Sequence, residues 1–331
     1  MNGAAITAWG TAIPSGELTN DDLVARIDVS REWIVERTGV RSRRIAAPGE
    51  TTSTLAAAAA SKALERAGKN PSDVDLIVVA TATPDYSIPA TAPLVQARIG
   101  ANRSGAFDVG AGCAGFLYGL SVGTAMVRSE AARCVLVCGA DTLSRVTDYT
   151  DRGTASLFGD GGGAVVVEPD AEHNYLGPFS LHSDGSGVDA LQIPPGGDFI
   201  RMRGREVYRH AVEAMTASVR EVLESADLGL ADVDLLIAHQ ANQRILEAVA
   251  ERLGLAPERC MSNIENFGNT SAASIPLALA DAWSSGRIGR NDVLVLPAFG
   301  AGYAWGAGVV RWALEGARVA SRDAILENAG V

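Results

Sequence analysis

Two distant stretches of this chain carry nearly the same text. Asp73-Val74-Asp75-Leu76-Ile77-Val78-Val79-Ala80 recurs as Asp232-Val233-Asp234-Leu235-Leu236-Ile237-Ala238-His239. The register extends to both sides. Leu64-Glu65 and Ala67, before the first copy, answer to Leu223-Glu224 and Ala226 before the second. Beyond them, Val135-Leu136-Val137 answers to Val293-Leu294-Val295, and Gly161-Gly162-Gly163-Ala164-Val165-Val166-Val167 resembles Gly306-Ala307-Gly308-Val309-Val310. Matches that keep one order along the chain point to an internal duplication. Each copy reads as a long helix, a buried strand, a small-residue helix, a second buried strand and a glycine-rich turn into a last strand. Strands that are apolar throughout need cover on both faces, so the pattern specifies α/β layering. The expectation is one pseudo-symmetric unit of two halves, 1–170 and 171–317, followed by a short tail at 318–331 rich in polar and small residues.

Local signals place two helices. One runs from about Ser53 to Arg66 and stops at Gly68, with Asn70-Pro71 turning the chain. The other, about Ala114 to Val127, is apolar nearly all round and belongs in a core. With 331 residues, 47% hydrophobic and 20% charged, the chain supports such a core and is not a disordered one. Its net charge of -11 repels nucleic acid and anionic membrane, so neither is expected as a partner. The N-terminus lacks the basic segment of a signal peptide and no apolar run reaches membrane length. The spacing of Cys113, Cys134, Cys138 and Cys260 suits neither a zinc site nor a disulfide framework. A reduced, cytoplasmic setting and no metal are expected, with Cys134 and Cys138 as core residues. Phe158-Gly159-Asp160-Gly161-Gly162-Gly163 lacks the Lys-Ser/Thr ending of a phosphate loop and runs into a strand, so it reads as tight packing.

Three polar residues stand at junctions. Cys113 follows Gly110-Ala111-Gly112 and precedes the buried helix, where a helix N-terminus favours thiolate. His239 ends the repeated strand where the first copy has Ala80. The other histidines, His173, His182 and His210, lie in less apolar surroundings and read as surface residues. Asn269 sits in Asn266-Phe267-Gly268-Asn269-Thr270-Ser271, where a turn or cap is the plain alternative. For Cys113 the plain alternative is an inert core thiol, and for His239 a hydrogen-bonded structural histidine.

Taken together, Gly112-Cys113-Ala114-Gly115-Phe116, His239-Gln240-Ala241-Asn242 and Gly268-Asn269-Thr270-Ser271-Ala272-Ala273-Ser274 resemble the catalytic blocks of the β-ketoacyl-acyl-carrier-protein synthase III family of the thiolase superfamily. The resemblance runs from Ile6 to Trp312 and includes Glu32-Trp33-Ile34-Val35-Glu36-Arg37-Thr38-Gly39 and Asp151-Arg152-Gly153-Thr154. It implies a five-layered αβαβα thiolase-like fold and a homodimer. It implies that Cys113 is acylated by acyl-CoA, with the N–H groups of Cys113 and Ala301 as the oxyanion hole. His239 and Asn269 then stabilise the enolate formed when malonyl-acyl-carrier protein loses CO₂. No permanently bound cofactor is implied; acyl-CoA and malonyl-acyl-carrier protein are substrates.

The same resemblance assigns CoA contacts to Trp33, Arg37, Arg152 and Asn242, and carrier-protein contacts to Gln240, Ala241, Asn242, Gln243 and Arg244. The acyl pocket falls to Ile88 and Phe158. Two departures stand out. The usual glycine run reads Phe299-Gly300-Ala301-Gly302, which keeps the N–H if φ of Ala301 is negative. Ser87-Ile88-Pro89 replaces an aromatic gate, which points to a larger or branched starter group. Three other readings stay open on the residues: a relative that transfers acyl groups without condensing them, a cysteine hydrolase using Cys113, His239 and Asn269 in papain order, and a non-catalytic carrier-binding subunit.

Overall fold

A computed structural model describes residues 3–171, 173 and 175–315. The duplication is visible in how its strands pair. The first sheet runs Gly3–Ala12, Asp160–Asp170, Val135–Thr142, Leu76–Ala80, Gly105–Val109. The first two neighbouring pairs are antiparallel and the last two parallel. The second sheet repeats that order. Leu176–Ser183 pairs antiparallel with Ala304–Arg311, which pairs antiparallel with Val293–Val295, which pairs parallel with Leu235–Leu236. A parallel bridge from Leu236 to Cys260 stands where the first sheet has Gly105–Val109. The repeated segments of the sequence thus occupy matching places.

Period-two alternation in these strands explains the layering. Val78, Val135 and Val137 pack into a central core with Leu235, Leu294 and Val310 of the other sheet. Their neighbours Ile77, Val79, Leu136 and Cys138 face an outer core with Leu55, Ala56, Ala59, Ala60 and Ala63. Leu236, Val293 and Val295 likewise join an outer core with Val212, Met215, Val219 and Val249. Helices Gly115–Arg128 and Ser274–Ser284 lie between the sheets; Thr52–Ala67 and Thr91–Ile99 cover the first sheet, and Gly204–Ser225 and Gln243–Leu253 the second. The architecture is the five-layered αβαβα arrangement.

The predicted helix at Ser53–Arg66 spans Thr52–Ala67, capped by Thr51 and ended by Gly68 at φ 64°. The central helix needs glycine to approach the sheet: a Cβ on Gly123 would lie 2.8 Å from the Val137 side chain. Cys134 and Cys138 are buried. His173 is exposed, whereas His182 and His210 are half-buried against Trp305 and Tyr303, because aromatic neighbours distant in sequence cover them. The expected tail at 318–331 lies outside the described residues. No helix among the described residues is long and apolar enough to cross a membrane.

Candidate active site

Cys113 lies in a tight turn, Gly112–Ala114, that runs directly into the central helix Gly115–Arg128. Glycine is required beside it. Gly112 has φ 51°, and a Cβ there would come within 2.9 Å of the Ala301 nitrogen. A Cβ on Gly300 would meet the Cys113 nitrogen at 2.5 Å. The N–H groups of Cys113 and the Ala301 segment are therefore packed together. Ala301 is not among the non-glycine residues with positive φ, so it keeps an ordinary backbone and its N–H.

The expectation of a resting thiolate is corrected. Burial pushes the Cys113 thiol up to about 12, and the Asp141 carboxylate adds to the rise. The Ser271 hydroxyl and the Cys113 backbone act in the other direction and are outweighed. Desolvation exceeds what the helix terminus supplies, so the resting residue is a thiol.

His239 continues the second sheet by donating its backbone N–H to Pro297 at 2.9 Å. Its side chain is buried, and burial pulls the imidazole down to about 3 against an opposing influence of the Ser271 backbone. The ring is thus neutral near pH 7, and its Nδ1 finds no hydrogen-bond partner among the described residues. Asn269 is clipped to the first half of the chain. Its N–H donates to Leu157 at 2.9 Å, and its carbonyl accepts from Gly159 at 3.0 Å. Its side-chain oxygen accepts the Ser271 N–H at 2.9 Å, and its Nδ2 reaches the Ala241 carbonyl at 3.5 Å. These bonds run to backbone groups. Asn269 does not orient His239, as a papain-like relay would require.

Cys113, His239, Asn269 and Ala301 line one cavity of about 670 Å³. Leu143, Val146, Phe158, Ile200 and Met202 make its apolar wall. Trp33, half-buried on the helix Arg31–Thr38, and the exposed Arg37, Arg152 and Arg244 also line it. Ala241 and Asn242 belong to it too. Asn242 is the N-cap of Gln243–Leu253: its oxygen accepts from Arg244 N at 2.9 Å and its amide donates to the Arg37 carbonyl at 3.0 Å. It holds two cavity-lining segments together.

Three of the expected contact residues lie outside this cavity. Gln240 is buried; its amide donates to Ala238 and Met261 and accepts from Asn263, so it has no surface to offer a carrier protein. Gln243 is outside the cavity and bonded to Glu247 and Ser262. Ile88 is 89% exposed and does not line this chain's cavity, because its loop stands off the body of the protein. Sequence reasoning missed Arg205, Tyr208 and Ser271 as lining residues. Arg205 and Tyr208 read as ordinary helix residues. Ser271 was visible inside the Asn269 block, but nothing there separates it from a plain turn serine.

Residues 107–185 match the family described as 3-oxoacyl-[acyl-carrier-protein] synthase III, and residues 223–312 match its C-terminal part. A β-ketoacyl-[acyl-carrier-protein] synthase III of Roseiflexus sp. (strain RS-1) is 46% identical over 325 residues, covering 94% of this chain and 99% of that protein. The chain belongs to the β-ketoacyl-[acyl-carrier-protein] synthase III family. Solved structures agree. The 3-oxoacyl-[acyl-carrier-protein] synthase III of Aquifex aeolicus VF5 superposes with a TM-score of 0.91 at 43% identity, over 94% of this chain and all of that one (100%). The priming β-ketosynthase of the R1128 polyketide pathway superposes at 0.90 with 36% identity, over 94% and 96%. The synthase III fold is therefore the thiolase-like one that the strand order displays.

Proposed function

We propose that this chain is a synthase III-type condensing enzyme, an acyltransferase that starts fatty-acid or polyketide chains. The observation that carries the reading is the convergence of Cys113, His239 and Asn269, from opposite halves of the duplication, on one apolar cavity with arginines among its exposed lining. Cys113 attacks the acyl-CoA carbonyl; the new sulfur–carbon bond replaces the one to CoA, whose sulfur leaves with the proton. The N–H groups of Cys113 and Ala301 take the oxyanion. Malonyl-acyl-carrier protein then loses CO₂. Neutral His239 and Asn269 hydrogen-bond the thioester oxygen as it becomes an enolate, and the carbanion attacks the acyl-Cys113 carbonyl. The cysteine sulfur is released as a thiolate and takes a proton from solvent to restore the thiol, and β-ketoacyl-carrier protein leaves. A neutral imidazole suits this task because it donates without a buried charge in the resting state.

Trp33 and Arg152 stack on the adenine of CoA, and Arg37 meets its phosphates. Ala241, Asn242, Gln243 and Arg244 remain as the carrier contact; buried Gln240 does not. Phe158 stays in the acyl pocket. A larger or branched starter group requires Ile88 to line the acyl pocket, and within one chain it does not line the cavity. A homodimer is supported by the Gly105–Val109 strand, which ends the first sheet with exposed Phe107 on it. Exposed Tyr86 and Ile88 precede the helix Thr91–Ile99 that packs on that strand. Four free cysteines fit a reducing, cytoplasmic setting.

Intact-protein mass spectrometry with a panel of acyl-CoAs, then with malonyl-carrier protein, tests the reading. Wild type gains one acyl group and releases CO₂ on malonyl addition; Cys113→Ala gains none. Acyl-CoA hydrolysis without malonyl-dependent CO₂ would refute condensation.

A further inference from the structure

Gly112 and Ser271 occupy matching places in the duplication. Each opens a tight turn, Gly112–Ala114 and Ser271–Ala273, that leads into one of the two central helices. Their φ angles are 51° and 50°. Glycine adopts that backbone freely, whereas a serine there is strained. The strain is held from both sides: the Ser271 N–H donates to Asn269 Oδ1 at 2.9 Å, and the Ala272 N–H to Asp141 Oδ2 at 3.0 Å.

The side chain so placed is 1% exposed, and its hydroxyl has no hydrogen-bond partner among the described residues. Ser271 nevertheless lines the cavity beside Cys113, His239 and Asn269. A buried unpaired hydroxyl costs free energy, and a neighbour that gains negative charge during the reaction would offset that cost. Its ionisable neighbours are the Cys113 thiol and the Asp141 carboxyl; it is near enough to favour the charged form of each, yet in the resting site neither contact has hydrogen-bond geometry.

We propose that Ser271 is a positioning residue for the nucleophile: its hydroxyl donates a hydrogen bond to the Cys113 sulfur as the thiolate forms and attacks acyl-CoA. The idea rests on the reading of Cys113 as nucleophile. Serine keeps its own proton throughout. The proton lost by Cys113 leaves on the CoA sulfur as the new thioester bond replaces the old one. The donor acts only while the sulfur carries charge, so it assists acylation and not the later decarboxylation. The other titratable groups beside the sulfur are Asp141, from the strand Val135–Thr142, and His239, which lines the same cavity just beyond the strand Leu235–Leu236.

Ser271→Ala and Ser271→Gly test this. Both remove the hydroxyl, and glycine also removes the strain. Two readouts are needed: single-turnover acylation of Cys113 by acetyl-CoA and isobutyryl-CoA, and the pH profile of Cys113 alkylation by iodoacetamide. Both variants should acylate roughly ten-fold or more slowly, the loss of one hydrogen bond to a charged group. Their alkylation midpoints should move to higher pH, and decarboxylation by enzyme already acylated on Cys113 should stay near wild type. Wild-type acylation with an unmoved midpoint in either variant overturns the proposal. So does full rescue by glycine where alanine is slow, which would reduce Ser271 to a backbone role. Wild type that takes no acyl group defeats the nucleophile reading instead, and the alkylation profile still judges the hydroxyl.

Discussion

The Asp141 carboxylate accepts the Ala272 N–H at 3.0 Å and so fastens the turn behind Asn269 to the first half of the chain. Its other oxygen accepts from the Thr81 hydroxyl, the Ala82 and Thr83 N–H groups and the Thr83 hydroxyl. One buried side chain thereby holds three segments that meet beside Cys113.

Replacing Asp141 by Ala should strand these buried donors. The expected loss is about 3 kcal/mol or more in urea unfolding, since several groups lose their acceptor together. An unchanged midpoint would mean that water replaces the carboxylate.

His239 sets a pH dependence whose sign is fixed by its surroundings. The imidazole is at about 3 when folded and near 6.5 in an unfolded chain. Between those values the unfolded state binds the extra proton. The stability due to neutral His239 is complete above about pH 6.5 and falls as the pH drops toward 3, by at most about 1.4 kcal/mol per pH unit. Asp141 works in the opposite sense, because burial raises its folded pKa and its contribution is lost as pH rises. Comparing wild type with His239→Gln isolates the histidine. The variant should show a flatter fall between pH 6.5 and 4, and parallel curves would contradict the assignment.

Asn242 joins the cap of one helix to the end of another. Asn242→Ala should cost about 1 kcal/mol of stability from the lost cap. The freed Arg37 carbonyl should loosen the helix that carries Trp33, raising KM for acyl-CoA more than it lowers kcat. A thermal melt and steady-state kinetics read the two effects separately. A fall in kcat at constant KM would place Asn242 in the chemical step instead.

Arg43 is fully buried, and among the described residues no carboxylate hydrogen-bonds it or forms a salt bridge with it. Its guanidinium bonds the Leu18 carbonyl, the Asn20 side chain and the Ser156 carbonyl, and burial lowers its pKa to about 10. A lysine has no planar fork to span these acceptors. Arg43→Lys should therefore lose about 2 kcal/mol or more, measured by chemical denaturation. Full retention of stability would show that a single cation is sufficient.

Much of the fold was legible because it is built from local patterns. Leu76–Ala80 and Leu235–Leu236 show their apolar character without knowledge of a partner, and the recurrence of Asp73–Ala80 as Asp232–His239 announces the duplication. The glycines around Cys113 likewise signalled a tight turn into a helix. The grouping of Cys113, His239 and Asn269 came from the order of recognisable blocks.

Other properties depend on groups that meet only after folding. Gln240 resembled a surface contact beside Arg244, yet the backbones of Ala238, Met261 and Asn263 enclose its amide. Ile88 resembled a pocket residue, yet it does not line the cavity of its own chain. The sequence by itself determined the duplication, the layer order and the family, since periodicity, glycine placement and block order are written along one dimension. Tertiary structure alone decided the protonation of Cys113 and His239 and the isolation of the Ser271 hydroxyl. Those depend on desolvation and on polar neighbours brought together from opposite halves of the chain.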